Sequence, residues 1–217
     1  MSAATGTAAS EEYLQAIYTL QDDGGQVIAA RLAEFLTVTP AAVSEMLHRL
    51  ARDRLVVLDG RHAIRLSPQG RRAAEGIVRR HRLAERMLVD LLGYDWWKTH
   101  EEAERIEHAM SPEMEERLTR VLGDPTTCPH GNPMPGVTPR PTRALGALAA
   151  GESAPVERIP DQFEHEPGFL EYLDGQGVRP GVVLRMLAQD AGALRVEVGG
   201  VARALRPDCA RKVLVAA

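Results

Sequence analysis

Leu14, Ile17, Tyr18 and Leu20 recur at helical spacing behind Ser10, which predicts an amphipathic helix capped by Ser10 and ended near Gly24 and Gly25. Residues 1–9 are small and polar, lack this period and are expected to be disordered. Residues 28–36 (IAARLAEFL) form a second short amphipathic run. Thr39-Pro40 then supplies an N-cap and a proline at the first helical position, opening a third helix through about Arg52 with Val43, Met46, Leu47 and Leu50 as its buried stripe. Leu55 to Leu58 and Ala63 to Leu66 read as two short strands, and the Asp59-Gly60-Arg61-His62 segment between them is a hairpin signal. Three helices followed by a hairpin is the order of a winged helix-turn-helix.

Ser67-Pro68 starts a fourth helix in the same way, running to about Leu92. Thr99 caps a fifth over residues 100–110, and Ser111-Pro112-Glu113 opens a sixth to about Leu122. Residues 124–142 then contain six prolines, at 125, 129, 133, 135, 139 and 141, a density that excludes regular structure and predicts an extended linker. Beyond it the period falls towards two. Strands are predicted at Val182 to Leu187, Leu194 to Val198 and Lys212 to Val215, with turns at Arg179-Pro180-Gly181 and Ala191-Gly192, the pattern of a small β-barrel.

Composition narrows the class. The 217 residues are 44% hydrophobic and 26% charged, ordinary for a globular protein, but only 4% aromatic, so aliphatic side chains must fill the core. No apolar run reaches the roughly 18 residues of a membrane span, and the opening MSAATGTAAS lacks the features of a signal peptide. Two cysteines are too few for a disulfide scaffold and fit a reducing compartment. A cytoplasmic protein with no membrane partner is expected. Cys128-Pro-His130 has the look of half a zinc site but reads more simply as a linker turn, and Cys209 as a buried small apolar residue.

The net charge of −4 hides a split. Between His48 and Arg86 eleven arginines face four acids, over the end of the third helix, the wing and the fourth helix. Alone, such a run is a solvated face. Next to a winged-helix order it becomes a candidate phosphate surface. Thr39, Pro40, Ala41, Ala42, Ser44, Glu45, His48 and Arg49 of the third helix, with Arg61 of the wing, are the candidate DNA contacts. Ala and Thr suit thymine methyls and Ser44 a base or phosphate, whereas Glu45 is repelled by phosphate unless it accepts from a cytosine.

Acids and imidazoles gather elsewhere. His100, Glu104, Glu107 and His108 stand at i, i+4, i+7 and i+8 on the fifth helix, and His81 and Glu85 are four apart on the fourth. Two helices each presenting a carboxylate and an imidazole is a way helical proteins build metal sites, and Glu12 of the first helix offers a further oxygen. Each such residue alone is a surface group; six at stacked spacings are not. Oxygen and imidazole donors suit Mn²⁺ or Fe²⁺, with Zn²⁺ and Co²⁺ binding in vitro. The sequence shows neither a Gly-rich phosphate loop nor a nucleophile elbow, and supplies no separate general base for a metallohydrolase.

With EEYLQAIYTL, VTPAAVSEMLHRLARDRLV, RRHRLAERMLVDLLG, the E-x-x-E-H within His100 to Ser111, and HGNPMPG, the chain resembles the diphtheria-toxin-repressor and manganese-transport-regulator family over nearly all of its 217 residues. The resemblance implies three domains: a winged helix-turn-helix DNA-binding domain over 1–70, a helical metal-binding and dimerisation domain over 71–140 with the Pro-rich linker from about 124, and an SH3-like (FeoA-like) domain over 141–217. It places Glu12, Glu104, Glu107 and His108 on the primary metal site and His81, Glu85 and His100 on a second. Asp161 and Glu164, with His165 as an alternative, are the matches to ligands added by the third domain.

Glu104 stands where iron-type members look to have Cys, and Glu12 where they carry Met; both favour Mn²⁺. His100, Glu85 and the third domain belong to the iron-type architecture. Glu45 replaces an iron-type Gln, so base preference does not carry over. The implied function is a non-enzymatic, metal-dependent repressor of metal-uptake genes, manganese-responsive with iron as the alternative. It binds a palindromic operator as a homodimer and takes no organic substrate. A winged-helix regulator that uses the same helices as a metal-free dimer interface is the remaining rival.

Overall fold

The computed structural model describes residues 7–59, 63–190 and 194–217. The expectations for residues 1–6, for Arg61 and the hairpin tip, and for the Ala191-Gly192 turn lie outside these, whereas Ala8 and Ala9, expected to be disordered, are already helical. By packing the chain forms two compact units, Met1–His81 with Glu107–Met110, and Arg82–Ile106 with Ser111–Ala217.

The first unit begins with α1 (Ala8–Asp22), α2 (Ala29–Phe35) and α3 (Pro40–Arg52). Ser10 does not cap α1: Thr7 holds the N-cap position, and Ser10 is buried one turn inside with its hydroxyl 3.7 Å from Met46 Sδ. Thr39 does cap α3, its Oγ1 accepting from Ala42 N at 3.2 Å with Pro40 following. The α3 stripe Val43, Met46, Leu47 and Leu50 packs with Tyr13, Leu14, Ile17 and Leu32 into one core. Each fully buried aliphatic side chain there contributes roughly 1.5–3 kcal/mol relative to exposure. Strands β1 (Val56–Leu58) and β2 (Ile64–Leu66) pair antiparallel with Val56 opposite Leu66 and Leu58 opposite Ile64. Ser67 Oγ then accepts from Gly70 N at 3.0 Å and donates to Arg54 O at 2.6 Å, starting α4 (Pro68–Arg86). Gly70 is obligatory here, because a Cβ would stand 1.9 Å from Leu55 O.

The second unit takes up the end of α4. The predicted continuation to Leu92 holds, but Met87–Leu91 widens into a π turn, with Leu92 N donating to Met87 O. A 3₁₀ turn over Trp96–Lys98 leads into α5 (Thr99–Glu107), which stops three residues before the predicted end; Thr99 lies inside it, its hydroxyl donating to Trp96 O. Ser111 caps α6 (Pro112–Val121) as its sequence predicts, accepting from Met114 N at 3.2 Å.

The proline-rich stretch has no helix and only one isolated bridge, Thr127 with Pro133. It is not a solvated linker throughout, because Cys128, His130, Asn132 and Met134 are buried. Gly131 makes this close packing possible: its φ is +89° and a Cβ would fall 2.0 Å from Glu157 O.

Beyond it come β3 (Thr142–Ala144), β4 (Ser153–Arg158), α7 (Asp161–Glu164), α8 (Phe169–Gly175), β5 (Val183–Gln189), β6 (Leu194–Val198), β7 (Val201–Leu205), α9 (Cys209–Lys212) and β8 (Leu214–Ala216). The six strands pair antiparallel in the order β3-β8-β4-β5-β6-β7. The last predicted strand is thus shortened, Lys212 belonging to α9. Alternation places Leu194, Val196 and Val198 of β6 inside, against Leu184, Met186, Phe169, Leu173 and Trp96. Cys209 is buried in this core, and burial pushes its thiol up to about 11.

Candidate metal centre and nucleic-acid interface

On α3, Thr39, Pro40, Ala41, Ala42, Ser44, Glu45 and His48 are all exposed, and Arg49 is half-buried. They share the face opposite the buried stripe, so the predicted reading surface is presented to solvent. The arginine-rich run is partly spent inside the protein. Arg80 reaches Glu11 Oε2 at 3.8 Å and donates to Glu107 O at 3.0 Å. Arg82 is buried, donating to Pro133 O and to Asp161 Oδ2. Arg86 donates to Thr127 O and Cys128 O. These three are structural, whereas Arg52, Arg54, Arg65, Arg71 and Arg72 are exposed.

In the first unit an acid–imidazole group closes around Glu107, which is 1% exposed. His81 Nδ1 lies 2.5 Å from Glu107 Oε2, and His108 Nε2 3.4 Å from Glu107 Oε1. The other ring nitrogen of His108 is 2.7 Å from Glu11 Oε2. The acid that α1 supplies is therefore Glu11; Glu12 is exposed. Helix phase is the reason: Glu11 shares its face with Leu14 and Tyr18, three and seven residues on, and Glu12 is turned about 100° away.

The second unit buries a larger group. Glu85 of α4, His100 of α5, Glu164 of α7, and Cys128 and His130 of the proline-rich loop are all under 8% exposed. His130 Nδ1 lies 3.2 Å from Glu85 Oε1 and 3.2 Å from Glu164 Oε2. His100 Nδ1 lies 3.6 Å and 3.3 Å from the same two atoms, and Cys128 Sγ is 4.0 Å from His130 Nδ1. Asn132 Nδ2 donates to Glu164 Oε1 at 2.7 Å, and His130 Nε2 stands 3.2 Å from Trp96 O, which orients the ring.

Charge is tightly coupled in this group. Burial alone would lower His100 and His130, but their carboxylate neighbours win and both rings sit well above the usual 6.5. Burial would raise Glu164; His130 and His100 instead bring it down to about 2. Burial, reinforced by Glu85, pushes the Cys128 thiol up to about 11. Asp161 is raised by burial despite its bond to Arg82, and that guanidinium, rather than the cluster, engages it.

This donor set fits a divalent ion. Glu164 Oε2 is buried and accepts no well-formed hydrogen bond, although two imidazole nitrogens approach it. Carboxylates, imidazoles and a thiol converge in one buried group, the donor chemistry a divalent cation takes. The sequence pattern offers Cys128 and His130 as a linker turn and Glu12 as the oxygen of the first helix, whereas the structure buries the pair in this inner group and turns Glu11, not Glu12, towards His108. The Cys-Pro-His pair was the signal for the former, and the phase of Leu14 and Tyr18 for the latter. Glu104 is exposed at the start of the last turn of α5, its Oε1 3.4 Å from His100 Nε2.

Known proteins place this architecture. Residues 7–64 match the iron dependent repressor N-terminal DNA binding domain, 67–136 its metal binding and dimerisation domain, and 143–217 the FeoA domain. The chain is 44% identical over 204 residues to the iron-dependent repressor IdeR of Mycobacterium leprae, covering 88% of this chain and 89% of that one. It is also 44% identical over 158 residues to the diphtheria toxin repressor of Corynebacterium diphtheriae, covering 73% and 68%. Among solved structures, a manganese-dependent transcriptional repressor in complex with manganese superposes with a TM-score of 0.86 at 37% identity, covering 95% of this chain and 99% of that one. IdeR of T. acidophilum superposes at 0.78 with 28% identity, covering 100% and 99%.

A winged helix, a helical dimerisation domain and an SH3-like β-domain, joined to buried acid–imidazole groups, define a metal-dependent transcription regulator. The chain belongs to the diphtheria-toxin-repressor family of metal-dependent transcriptional repressors. Its relatives are repressors rather than enzymes. Among the described residues no helix is long and apolar enough to cross a membrane.

Proposed function

We propose that this chain is a cytoplasmic, manganese-responsive repressor of metal-uptake genes that binds palindromic operator DNA as a homodimer. It would be organised as a DNA-binding segment over 1–70, a metal-binding and dimerisation segment over 71–140 and an SH3-like segment over 141–217. The observation that carries the metal reading is the burial of Glu85 and Glu164 around the imidazoles of His100 and His130. A bound divalent ion supplies the positive charge these carboxylates share. In the first unit, Glu107 and His108, with an acid of α1, offer a second set of hard donors, and the family motif adds Glu104 to it.

The exposed face of α3, from Thr39 to Arg49, supports entry into a major groove. Met114 and Val121 of α6 are exposed apolar residues beside Leu118, a surface suited to a second copy of the chain. A ligand shifts operator affinity only by its differential affinity for two states, and a tenfold change needs about 1.4 kcal/mol.

An iron-responsive reading is favoured by the Cys128 thiol beside His130, a softer donor than manganese prefers, alongside the iron-type features His100, Glu85 and the third domain. Recovery of genomic fragments with Mn²⁺, with Fe²⁺ under anaerobic conditions, and with chelator tests both readings. A palindrome enriched with Mn²⁺ and lost with chelator and in His108→Ala supports the proposal. Preference for Fe²⁺ selects the second reading, and equal recovery with chelator removes metal as the switch.

A further inference from the structure

Glu45 is the only acid of α3, and the helix carries it at the point furthest from its core. With about 100° between successive residues, the buried stripe of Val43, Met46, Leu47 and Leu50 faces one way. Ala41, Glu45, His48 and Arg52 lie opposite it, at i, i+4, i+7 and i+11, and all four are exposed. Glu45 stands in the second turn. A helix that enters a major groove by its N-terminal half sets such a residue against base edges.

The protein does not neutralise this carboxylate. Arg49 follows one turn later, at the spacing where an acid and an arginine commonly pair, yet among the described residues Glu45 makes no hydrogen bond or ion pair. Arg52 turns instead to Asp53, with Nε 3.1 Å from Oδ1. A bare carboxylate on a surface that meets phosphates weakens binding to every sequence alike, so the groove must offer it a donor. Only cytosine N4 and adenine N6 donate there. Guanine O6 and N7 and thymine O4 are acceptors and repel it. Adenine sets its donor beside the acceptor N7, which repels the second carboxylate oxygen, whereas cytosine sets its donor beside a C–H.

We propose that Glu45 specifies a cytosine in each half of the operator, accepting from its N4 amino group and rejecting the other three bases. This rests on the DNA-binding reading above and goes beyond it by naming a base. The selection works by exclusion as well as attraction. Glu45→Ala should therefore bind wrong-base duplexes more tightly than the parent does, while losing discrimination at that position of roughly 5–150-fold.

The test is selection from a pool of duplexes with a randomised centre, by the full chain with Mn²⁺ and with chelator, for the parent, Glu45→Ala and Glu45→Gln. Glu45 is exposed, so its replacements leave the core intact, which circular dichroism checks. The parent motif should hold one symmetric pair of cytosines that Glu45→Ala no longer selects, with the other positions unchanged. Glu45→Gln should move the preference there to adenine, whose N6 and N7 suit an amide. N4-methylcytosine keeps its base pair but loses the hydrogen that faces the groove. Placed at that position it should weaken the parent in a fluorescence anisotropy titration and leave Glu45→Ala unaffected. An identical motif for parent and Glu45→Ala, or equal weakening of both by N4-methylcytosine, overturns the proposal. A Mn²⁺-dependent motif that ignores Glu45 does so while leaving the regulatory reading in place. If chelator leaves the cytosine-bearing motif unchanged, the metal-responsive reading fails and the Glu45 assignment stands. A parent that selects no sequence overturns both.

Discussion

Asn132 donates through Nδ2 to Glu164 Oε1 at 2.7 Å and to Ile159 O at 2.7 Å, while its own Oδ1 accepts from Arg158 at 3.1 Å. The amide is fully buried and fixes the one carboxylate that α7 contributes to the inner group. Asn132→Leu should therefore cost about 1–3 kcal/mol, the price of a buried acceptor left without its donor. It should also weaken metal binding by roughly 10–100-fold, as loss of a ligand's supporting partner does. Thermal melting and a Co²⁺ titration read the two effects; a variant unchanged in both would show that Glu164 is held by other means.

The two adjacent acids of α1 should separate in the metal-free protein. Glu11 is buried against His108 and Arg80, so Glu11→Gln should lower stability by about 1–3 kcal/mol. Glu12 is exposed, and Glu12→Gln should melt within about 0.5 kcal/mol of the parent. Urea unfolding in chelator measures both. Equal midpoints would mean that the Glu11 contact contributes nothing.

Metal uptake should release protons. His100 and His130 have raised values, so their contribution to metal-free stability is complete below the ordinary 6.5 and lost as pH rises through the raised values. Glu164 is depressed to about 2, so its contribution is present above the ordinary 4.5 and lost as pH falls towards 2. The metal-free second unit should be most stable between those limits. At pH 7 an incoming ion must displace ring protons, and its apparent affinity should rise up to about tenfold per pH unit for each proton released. Calorimetry in buffers of differing ionisation heat counts them, and a buffer-independent heat would contradict the assignment.

Thr37 closes α2 with φ +54°, its N–H donating to Glu34 O at 3.2 Å. A β-branched residue is strained there. Thr37→Gly should stabilise the first unit by up to about 1 kcal/mol, and Thr37→Ala by much less. A thermal melt that falls with glycine would show that chain entropy outweighs the relief.

The starts of α3 and α6 were legible because Thr39-Pro40 and Ser111-Pro112 name both the cap and the first helical residue. The burial of the proline-rich loop was not. Proline density reports the absence of a ladder, whereas packing depends on Gly131 meeting the Glu157 carbonyl, 26 residues away in sequence. The inner site was half visible for the same reason. Glu85 and His100 stand on periodic helices, but His130 and Cys128 acquire meaning only when the loop folds onto them. Glu11 was legible from the phase of α1, and motif alignment favoured its neighbour instead.

Trp96 donates through Nε1 to Pro129 O, and its ring centroid is 5.0 Å from that of His130. The chain's two indoles are this residue and Trp97, adjacent in sequence and both in the second unit. Tryptophan light from this protein therefore originates wholly in the unit that holds the inner group. A paramagnetic ion settling there will darken it, and the DNA-reading unit, which has no indole, will be silent. The molecule carries an optical gauge of its own occupancy, readable without any label.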